Sequence, residues 1–428
     1  MITPKQLVGL SNEERYRILN RGWGTLEAVV PAVSEIIATV RRRGDAALIE
    51  YTERFDGIRL SDSEIRVSEE TLAEAYAAVG EAILAALRKS ASHIEAYHKP
   101  QHPEGYELET APGVRIGRRV VAYDRVGIYV PGGNAAYPSS VLMASIPARI
   151  AGVSEIALCT PPEVSAAVLA TARIVGIDEV YQVGGAQAIA ALAYGTESIR
   201  PVAKIVGPGN RYVTAAKERV RDVVAIDLPA GPSEIAVIAE PLKGWPVETL
   251  ARWIAVDLAA QLEHGPDTSA LLLTSSRPLA ETVADALNEQ VGDPDEKHIA
   301  VLLCDDLDEA IAFVDTYAPE HLEIITETED PESVLKRVHN VGSVFLGPYA
   351  PVAIGDYCSG TNHILPTMGA ARRFSGLGIK DFLKEFSYQA ISRDGLAHLS
   401  TTAATLADVE GLSLHKRSVE IRLEDEWR

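Results

Sequence analysis

An acid and an imidazole stand side by side at Glu320 and His321, directly after Pro319. A proline disfavours helix in the residue before it, so the pair is expected to open an extended segment, 321–325. An imidazole has an unperturbed pKa of about 6.5, which suits proton transfer near neutral pH, and a positioned base contributes roughly 10²–10⁴ in rate. The two residues are therefore a candidate acid/base pair. The alternative is a rim carboxylate beside a half-buried histidine on an ordinary strand.

Three further pairs of polar side chains lie in apolar or glycine-rich surroundings: Gln261 with His264, Asp356 with His363, and Glu410 with His415. The first pair closes an apolar helical run, where its i, i+3 spacing places both side chains on one helix face. Two histidines, one aspartate and one amide oxygen form a set of N and O ligands that zinc accepts. No local spacing rule links these residues, so a metal site and unrelated polar positions both stay open.

The composition excludes several classes of protein. The 428 residues are 47% hydrophobic and 23% charged, as in a soluble globular protein, and the length predicts two to four domains. A formal charge of −20 argues against nucleic acid as a partner. Three scattered cysteines are too few for a disulfide framework and fit a cytoplasmic location. No apolar signal core and no run of about 18 apolar residues is present, so no membrane association is expected.

The elements that must position these residues alternate along most of the chain. Residues 1–25 indicate a short helical arm ending at Gly22 and Gly24, and helical spacing follows over 26–55, broken at Gly44, and over 68–97, capped by Ser68. From residue 120, short apolar strands alternate with alanine-rich helices, which predicts a parallel sheet with helices on both faces. The expected strands form two runs: 126–130, 155–159, 179–183, 204–206 and 223–226, then 235–239, 270–273, 299–303, 321–325 and 343–346. Residues 381–428 indicate two or three helices.

Glycine-rich turns follow three of the expected strands. They are Pro131-Gly132-Gly133, Gly184-Gly185 and Gly207-Pro208-Gly209. Parallel sheets bind ligands at the carboxyl ends of their strands, and glycines let phosphates approach the backbone. No Gly-x-Gly-x-x-Gly motif is present, so a nucleotide would bind through less usual contacts. Simple tight turns are the alternative.

Nine short runs occur together and in order along the chain: GIYVPGG, VGGAQAIAAL, VGPGN, DLPAGPSE, QLEHGPD, YAPEHLE, GSVFLGPYAP, GDYCSGTNHILPT and GLSLHK. They closely resemble the histidinol dehydrogenase family, which uses zinc and NAD in the last two steps of histidine biosynthesis. The resemblance covers residues 26–419, and nine matches in order are far more specific than any one of them. One departure is the connection Leu242-Lys243-Gly244-Trp245-Pro246, which is several residues longer than the family pattern and could alter access to the pocket or the dimer contact.

The resemblance implies a set of site residues. The implied ligands of one zinc ion per subunit are Gln261, His264, Asp356 and His415, the last supplied across a homodimer by an exchanged tail. The implied acid/base pair is Glu320 and His321. The implied substrate contacts are Ser233, Glu410, His321 and the four zinc ligands, with His363 a neighbour. The implied NAD contacts are Tyr129, Gln187 and Asn210.

The expected organisation is an α/β fold with two similar, incomplete Rossmann-like parallel-sheet units. A helical arm, 1–25, precedes a split α/β domain, 26–128 and 234–380, that carries the catalytic pair and most zinc ligands. The NAD-binding domain is 129–233. The helical tail, 381–428, is expected to be exchanged in the dimer and to complete the partner's site.

The implied activity is the four-electron oxidation of L-histidinol to L-histidine through bound histidinal, with two NAD. In it, His321 takes the alcohol proton and Glu320 activates water. A related zinc and NAD enzyme acting on a sulfonated diol is one alternative, and Glu410 argues against it because a carboxylate suits an ammonium group. A non-catalytic zinc- and nucleotide-binding regulator would not need the Glu320-His321 pair, and a metallohydrolase would leave the NAD residues without purpose. A thiolate route through Cys358 lacks an adjacent base.

Overall fold

The structure is a computed structural model that describes residues 1–21, 23–132, 136–229, 231–265, 267–291, 298–327 and 329–424. The chain divides into two compact units. The first consists of Met1–Gln101 and Tyr123–Phe382, and the second of His102–Ala122 and Leu383–Arg428. Within the described residues, no helix combines the length and the apolar character needed to cross a bilayer.

Strands and helices alternate through the first unit, and the second unit adds a small sheet and two helices. The strands are β1 (Lys5–Gln6), β2 (Tyr106–Ala111), β3 (Val114–Ala122), β4 (Arg125–Tyr129), β5 (Glu155–Cys159), β6 (Glu179–Tyr181), β7 (Lys204–Val206), β8 (Ala225–Ile226), β9 (Glu234–Ala239), β10 (Ser269–Thr274), β11 (His298–Leu303), β12 (His321–Ile325), β13 (Ser343–Leu346) and β14 (Leu383–Ile391). The α-helices are α1 (Asn12–Leu19), α2 (Trp23–Arg43), α3 (Asp45–Asp56), α4 (Glu69–Ala78), α5 (Glu81–His98), α6 (Pro138–Ala151), α7 (Ala166–Ile174), α8 (Gly185–Tyr194), α9 (Arg211–Val220), α10 (Val247–Gln261), α11 (Arg277–Gln290), α12 (Leu307–Tyr317), α13 (Pro331–Leu335), α14 (Val352–Tyr357), α15 (Arg393–Val409) and α16 (Ser413–Glu424).

The larger sheet of the first unit is six-stranded and parallel, in the order β1-β11-β10-β9-β12-β13. Its central strand β9 is apolar on both faces because helices cover both. Ile235 and Val237 belong to one core cluster with α10 and α11, whereas Ala236 and Ile238 belong to another with α12. Successive strand residues point to opposite faces, so this alternation places a helical layer on each side of the sheet, as the sequence predicted.

The smaller sheet is five-stranded and parallel, in the order β6-β5-β4-β7-β8. Helices α2, α8 and α9 contribute to one core cluster beneath it. The expected glycine-rich turns follow β4, β6 and β7, at the carboxyl edge of this sheet. One turn residue, Gly133, lies outside the described residues. The two runs of parallel strands read from the sequence are thus confirmed.

The N-terminal arm differs from expectation in two ways. Its first residues form β1, which pairs with β11 at the edge of the larger sheet, before helix α1 begins. The expected stop at Gly24 is wrong, because α2 begins at Trp23 and runs through that glycine; Gly22 lies outside the described residues. The break at Gly44 is confirmed, since this residue has φ +53° between α2 and α3, and Ser68 caps α4 as predicted.

The second unit contains an antiparallel sheet, in the order β14-β3-β2, followed by α15 and α16. The prediction of helix at the start of the tail is wrong over Leu383–Ile391, which forms β14. All nine residues of that strand pair with β3, from Leu383 opposite Ala122 to Ile391 opposite Val114. A partner so distant in sequence leaves no local signal, because β propensity depends on the cross-strand neighbour.

Gly207 allows the closest backbone approach in the smaller sheet, and Gly207→Ala is expected to destabilise the protein severely. The residue has φ +120°, and an added Cβ would overlap the carbonyl oxygen of Tyr129. We expect a loss of more than about 3 kcal/mol in the free energy of unfolding, measured by urea denaturation. Gly57→Ala is the matched control, because Gly57 also has positive φ, +74°, but open space around it, and should cost only about 1 kcal/mol. Equal losses in the two variants would contradict the overlap.

Candidate active site

The predicted catalytic pair lies at the amino-terminal edge of the larger sheet. His321 is the first residue of β12 and lies opposite Ile235 of β9 and Ser343 of β13. Glu320 directly precedes the strand, after a turn in which Ala318 adopts φ +52°. The predicted extended segment 321–325 is confirmed by β12. The glycine-rich turns, in contrast, lie at the carboxyl edge of the smaller sheet.

A cavity of about 540 Å³ in the first unit brings together residues from both sheets. Six of the predicted site residues line it: Ser233, His264, Glu320, His321, Asp356 and Asn210. His363 lines it as well. An adjoining groove of about 770 Å³ shares His264 and Asp356 with the cavity and adds Gln261. The inserted connection 242–246 lines neither space; there Trp245 packs against Trp253, with ring centroids 5.1 Å apart.

His321 is buried with one ring nitrogen held and the other free. Its Nδ1 lies 3.2 Å from the carbonyl oxygen of Glu234. A carbonyl only accepts, so Nδ1 carries the proton and Nε2 carries the lone pair. Nε2 has no hydrogen-bond partner among the described residues and lies 3.7 Å from Asp356 Oδ1. Burial lowers the pKa of His321 to about 3, so the ring is neutral near pH 7.

Glu320 is also buried, and its carboxyl group is held by the backbone of Glu234. Its Oε2 accepts the backbone N–H of Glu234 at 2.9 Å and lies 3.6 Å from His321 Nδ1. Burial raises the pKa of Glu320 well above the ordinary value, and the Glu234 carboxylate adds to the shift. The pair therefore combines a neutral imidazole with a carboxyl group that retains its proton to higher pH than usual.

Three of the four residues expected to bind metal belong to the first unit. Gln261 ends α10 and is 4% exposed, with no hydrogen-bond partner for its Nε2 among the described residues. His264 follows in a short 3-10 turn and is exposed. Asp356 belongs to the short helix α14, so its placement in a loop is corrected. Burial raises the pKa of Asp356 to about 7.

His363 supports Asp356 from the loop that follows α14. Its Nδ1 lies 2.9 Å from the backbone oxygen of Asp356, and its Nε2 lies 3.1 Å from the hydroxyl of Ser140. Because the backbone oxygen can only accept, Nδ1 donates there. His363 therefore fixes the helix end that presents Asp356.

Two predicted site residues belong to the second unit. Glu410 caps the end of α15 directly before Gly411, as the sequence indicated. His415 was expected in the same break but lies in the first turn of α16, and both side chains are exposed. The exposed apolar side chains around them are Leu406, Val409, Leu412 and Leu414.

The residues expected to contact NAD surround the carboxyl edge of the smaller sheet. Tyr129 and Gln187 are 3% and 1% exposed, so their side chains lie beneath the turns. The hydroxyl of Tyr129 accepts the N–H of Gly185 at 3.1 Å, which joins two of the turns. Asn210 is exposed at the cavity wall, where its side-chain oxygen caps α9 by accepting two backbone N–H groups.

Several residues that shape the site escaped the sequence interpretation. Buried Lys217 and Asp227 form an ion pair that holds both peptide groups of Gly207, with Lys217 Nζ 2.9 Å from its oxygen and Asp227 Oδ2 2.8 Å from its nitrogen. Glu234 holds both members of the catalytic pair. A carboxylate at the head of the apolar run 235–239 was a usable signal for Glu234, since a charge is rarely buried unless it is paired. No comparable pattern in the sequence indicated that Lys217 is buried.

A family model described as Histidinol dehydrogenase matches residues 19–423. The chain belongs to the histidinol dehydrogenase family. A histidinol dehydrogenase from Methanosarcina mazei is 46% identical over 98% of this chain and 97% of its own. One from Methanothermobacter thermautotrophicus is 47% identical over 94% and 95% of the two chains. The crystal structure of histidinol dehydrogenase from Elizabethkingia anophelis superimposes with a TM-score of 0.87 at 36% identity, covering 97% of this chain and 96% of that one.

Membership confirms the family indicated by the nine sequence runs and the enzyme class it implies, an NAD-dependent oxidoreductase of amino-acid biosynthesis. Because the family model spans both units, the tail that carries Glu410 and His415 is part of the family pattern.

Glu323 is a further buried carboxyl group beside the candidate site. It lies two residues beyond His321, on the same face of β12, and is 2% exposed. Its Oε1 accepts the N–H of Val352 at 3.1 Å, at the start of the helix that carries Asp356, and its Oε2 has no partner among the described residues. Burial raises the pKa of Glu323 to about 8, and the carboxyl of Asp257 adds to the shift.

Replacing this carboxyl, in Glu323→Gln, should remove a pH-dependent loss of stability. Between its ordinary pKa of 4.5 and its folded pKa of about 8, the folded state keeps a proton that the unfolded state releases. The wild-type free energy of unfolding, relative to the variant, should therefore fall as pH rises through this window, by at most about 1.4 kcal/mol per pH unit. Urea denaturation at pH 5, 6, 7 and 8 measures it, with Glu289→Gln on an exposed helix face as the control. Parallel curves for wild type and Glu323→Gln would contradict a raised pKa.

Proposed function

We propose that this enzyme oxidises the alcohol group of L-histidinol to the carboxylate of L-histidine through a bound aldehyde, using two molecules of NAD. The observation that carries the proposal is the environment of His321. One ring nitrogen donates to a backbone carbonyl, and the other points a free lone pair into the cavity. This is the arrangement that a general base for an alcohol requires.

His321 would take the hydroxyl proton at Nε2 while the hydride leaves the carbinol carbon. NAD, when bound, accepts that hydride. Burial keeps the ring neutral, and the hydrogen bond from Nδ1 to Glu234 fixes the tautomer and the ring orientation. The products of this step are the aldehyde, reduced cofactor and a proton on the imidazole.

Glu320 would serve the second oxidation, in which water adds to the aldehyde and the hydrate loses a second hydride. To take a proton from water, Glu320 must be ionised. Its raised pKa makes the ionised form a stronger base, but a scarcer one at low pH. Aldehyde oxidation should therefore be more sensitive to acid than alcohol oxidation.

We assign a zinc ion to Gln261, His264, Asp356 and His415. The first three offer an amide oxygen, an imidazole and a carboxylate on adjoining walls of the first unit. Burial without a cation raises the pKa of Asp356, and a bound divalent ion would reverse that shift. Zinc, when bound, supplies a Lewis acid that anchors the imidazole and amine of the substrate.

The fourth ligand would come from a second copy of the chain in a homodimer. Among the described residues, no three His, Cys, Asp or Glu side chains come together in a way that could hold a metal ion. His415 is exposed among apolar side chains, and the groove beside Gln261 is lined by apolar residues of α5, including Ile83 and Leu87. An exchanged tail would cover both surfaces and bring Glu410 to the substrate ammonium group.

The NAD site would be the carboxyl edge of the smaller sheet. Pro208, Gly209 and Asn210 line the cavity directly before α9, where the start of a helix favours a phosphate. Tyr129 and Gln187 would act from beneath, by fixing the shape of the turns.

Turnover with candidate substrates and with chelators tests the proposal. Purified enzyme supplied with L-histidinol and NAD should form two NADH per histidine, and removal of metal by a chelator should abolish the activity until zinc is restored. A sulfonated diol is the matched competitor substrate. Turnover on the diol but not on histidinol would replace the proposal by the rival activity, and no oxidation of any alcohol by the zinc-loaded protein would favour a regulator.

The two members of the catalytic pair should fail at different steps. His321→Asn should slow oxidation of histidinol by about 10²–10⁴ while the zinc content is unchanged. Glu320→Gln should slow oxidation of histidinal more than that of histidinol and should remove the loss of aldehyde oxidation at low pH. Separate assays on alcohol and aldehyde give both values. Equal losses on the two substrates in Glu320→Gln would contradict its role towards water.

Mixed dimers test the exchange of the tail. Asp356→Ala and His415→Ala should each be inactive as homodimers. If one site takes Asp356 from one chain and His415 from the other, each mixed dimer contains one intact site, so random mixing restores about one quarter of wild-type activity. Co-refolded variants, compared with each homodimer alone, provide the measurement. Absence of any recovery would show that both ligands come from the same chain.

A further inference from the structure

We propose that Arg21, in the N-terminal arm, is a positioning residue for the catalytic pair and acts through the two peptide groups of Glu234. The inference rests on the roles proposed above for Glu320 and His321. Its basis is an uninterrupted series of contacts from the arm to both reactive side chains.

Arg21 is 5% exposed and contacts two different elements at once. Its guanidinium forms a two-point ion pair with the Glu234 carboxylate, through Nε to Oε2 and through Nη2 to Oε1 at 2.7 Å. Nη2 also donates to the backbone oxygen of Tyr317 at 2.9 Å. The guanidinium carbon lies 3.4 Å from the centroid of the Tyr317 ring. Bidentate pairing and stacking are both specific to the planar guanidinium of arginine.

The two residues that Arg21 holds are the immediate supports of the catalytic pair. The N–H of Glu234 donates to Glu320, and its carbonyl accepts from His321, at 2.9 and 3.2 Å. Tyr317 ends α12, and only Ala318 and Pro319 separate it from Glu320. Arg21 therefore fixes the head of β9 and the start of the loop that delivers the pair.

The turn between Tyr317 and Glu320 needs the support that the contacts of Arg21 provide. Ala318 has φ +52°, a left-handed conformation that is unfavourable for a non-glycine residue. Such a turn persists only where surrounding contacts determine it. A displacement of about 1 Å can reduce a rate by 10²-fold. Loosening Glu234 or Tyr317 should therefore lower kcat.

The rest of the arm is attached independently of Arg21. Strand β1 pairs with β11 through Lys5 and Gln6, and the N–H of Ile2 donates to Asn288 at 2.7 Å. The role of Arg21 can thus be separated from docking of the arm. A second buried arginine, Arg125, provides a matched comparison: it pairs with Glu179 at 2.7 Å at the amino edge of the smaller sheet and lines neither cavity.

The experiment compares Arg21→Lys with Arg125→Lys. Both changes keep the charge and remove a bidentate contact, so both should lower the melting temperature. For zinc-loaded enzyme assayed well below each melting temperature, Arg21→Lys should lower kcat for histidinol and for histidinal by about 10–100-fold, with KM and zinc content within about threefold of wild type. Arg125→Lys should keep kcat within about twofold.

A double replacement covers the case in which Arg21→Lys does not fold. Arg21→Gln with Glu234→Gln removes both buried charges, and Arg125→Gln with Glu179→Gln is its control. A lower kcat in the first double variant than in the second supports the inference.

Two different results would contradict the inference that Arg21 is a positioning residue. If both pairs of variants share the same kcat, Arg21 is only structural and the proposed function stands. If wild-type enzyme and the Arg125 variants also fail to oxidise histidinol, the proposed function itself has failed, and the inference falls with it.

Discussion

The peptide of Glu234 is the constraint on which the site depends. A single residue at the head of a buried strand donates its N–H to Glu320 and accepts from His321 at its carbonyl, the two members of the proposed acid/base pair. Buried polar groups must be paired, so the strand head cannot shift without leaving at least two of them without a partner. The position of the acid/base pair is therefore set by backbone geometry, and the side chain of Glu234 only anchors that geometry.

Burial also sets the protonation states. The same lack of water lowers the pKa of His321 and raises those of Glu320 and Asp356, because in each case the charged form is the one that loses solvation. The cavity therefore combines a neutral imidazole with two carboxyl groups that keep their protons to higher pH than usual. A cation bound at the proposed zinc ligands would change the pKa of all three groups, so metal binding and proton binding would be coupled.

Local sequence patterns predicted many of the strands. Contacts between residues distant in sequence could not be predicted. Apolar runs located the parallel strands, and Pro319 located the start of the extended segment at His321, because strand burial and proline geometry act within a few residues. The strand β14 pairs with β3, and Arg21 pairs with Glu234; each partner is hundreds of residues away, so no window of sequence contains the interaction. The family resemblance supplied the proposed zinc ligands, which no spacing rule links. It could not indicate that Tyr129 and Gln187 lie beneath the turns, because burial is a property of the packed chain.

The pairing of β1 with β11 has a consequence for biosynthesis. Lys5 and Gln6 are made on the ribosome about three hundred residues before their partners, Leu302 and Leu303. Strand β1 therefore stays without its partner β11 until most of the first unit has emerged from the exit tunnel. Contacts this distant in sequence form slowly because the intervening loop must close first. The order of translation thus makes docking of the arm a late event in the maturation of each new molecule.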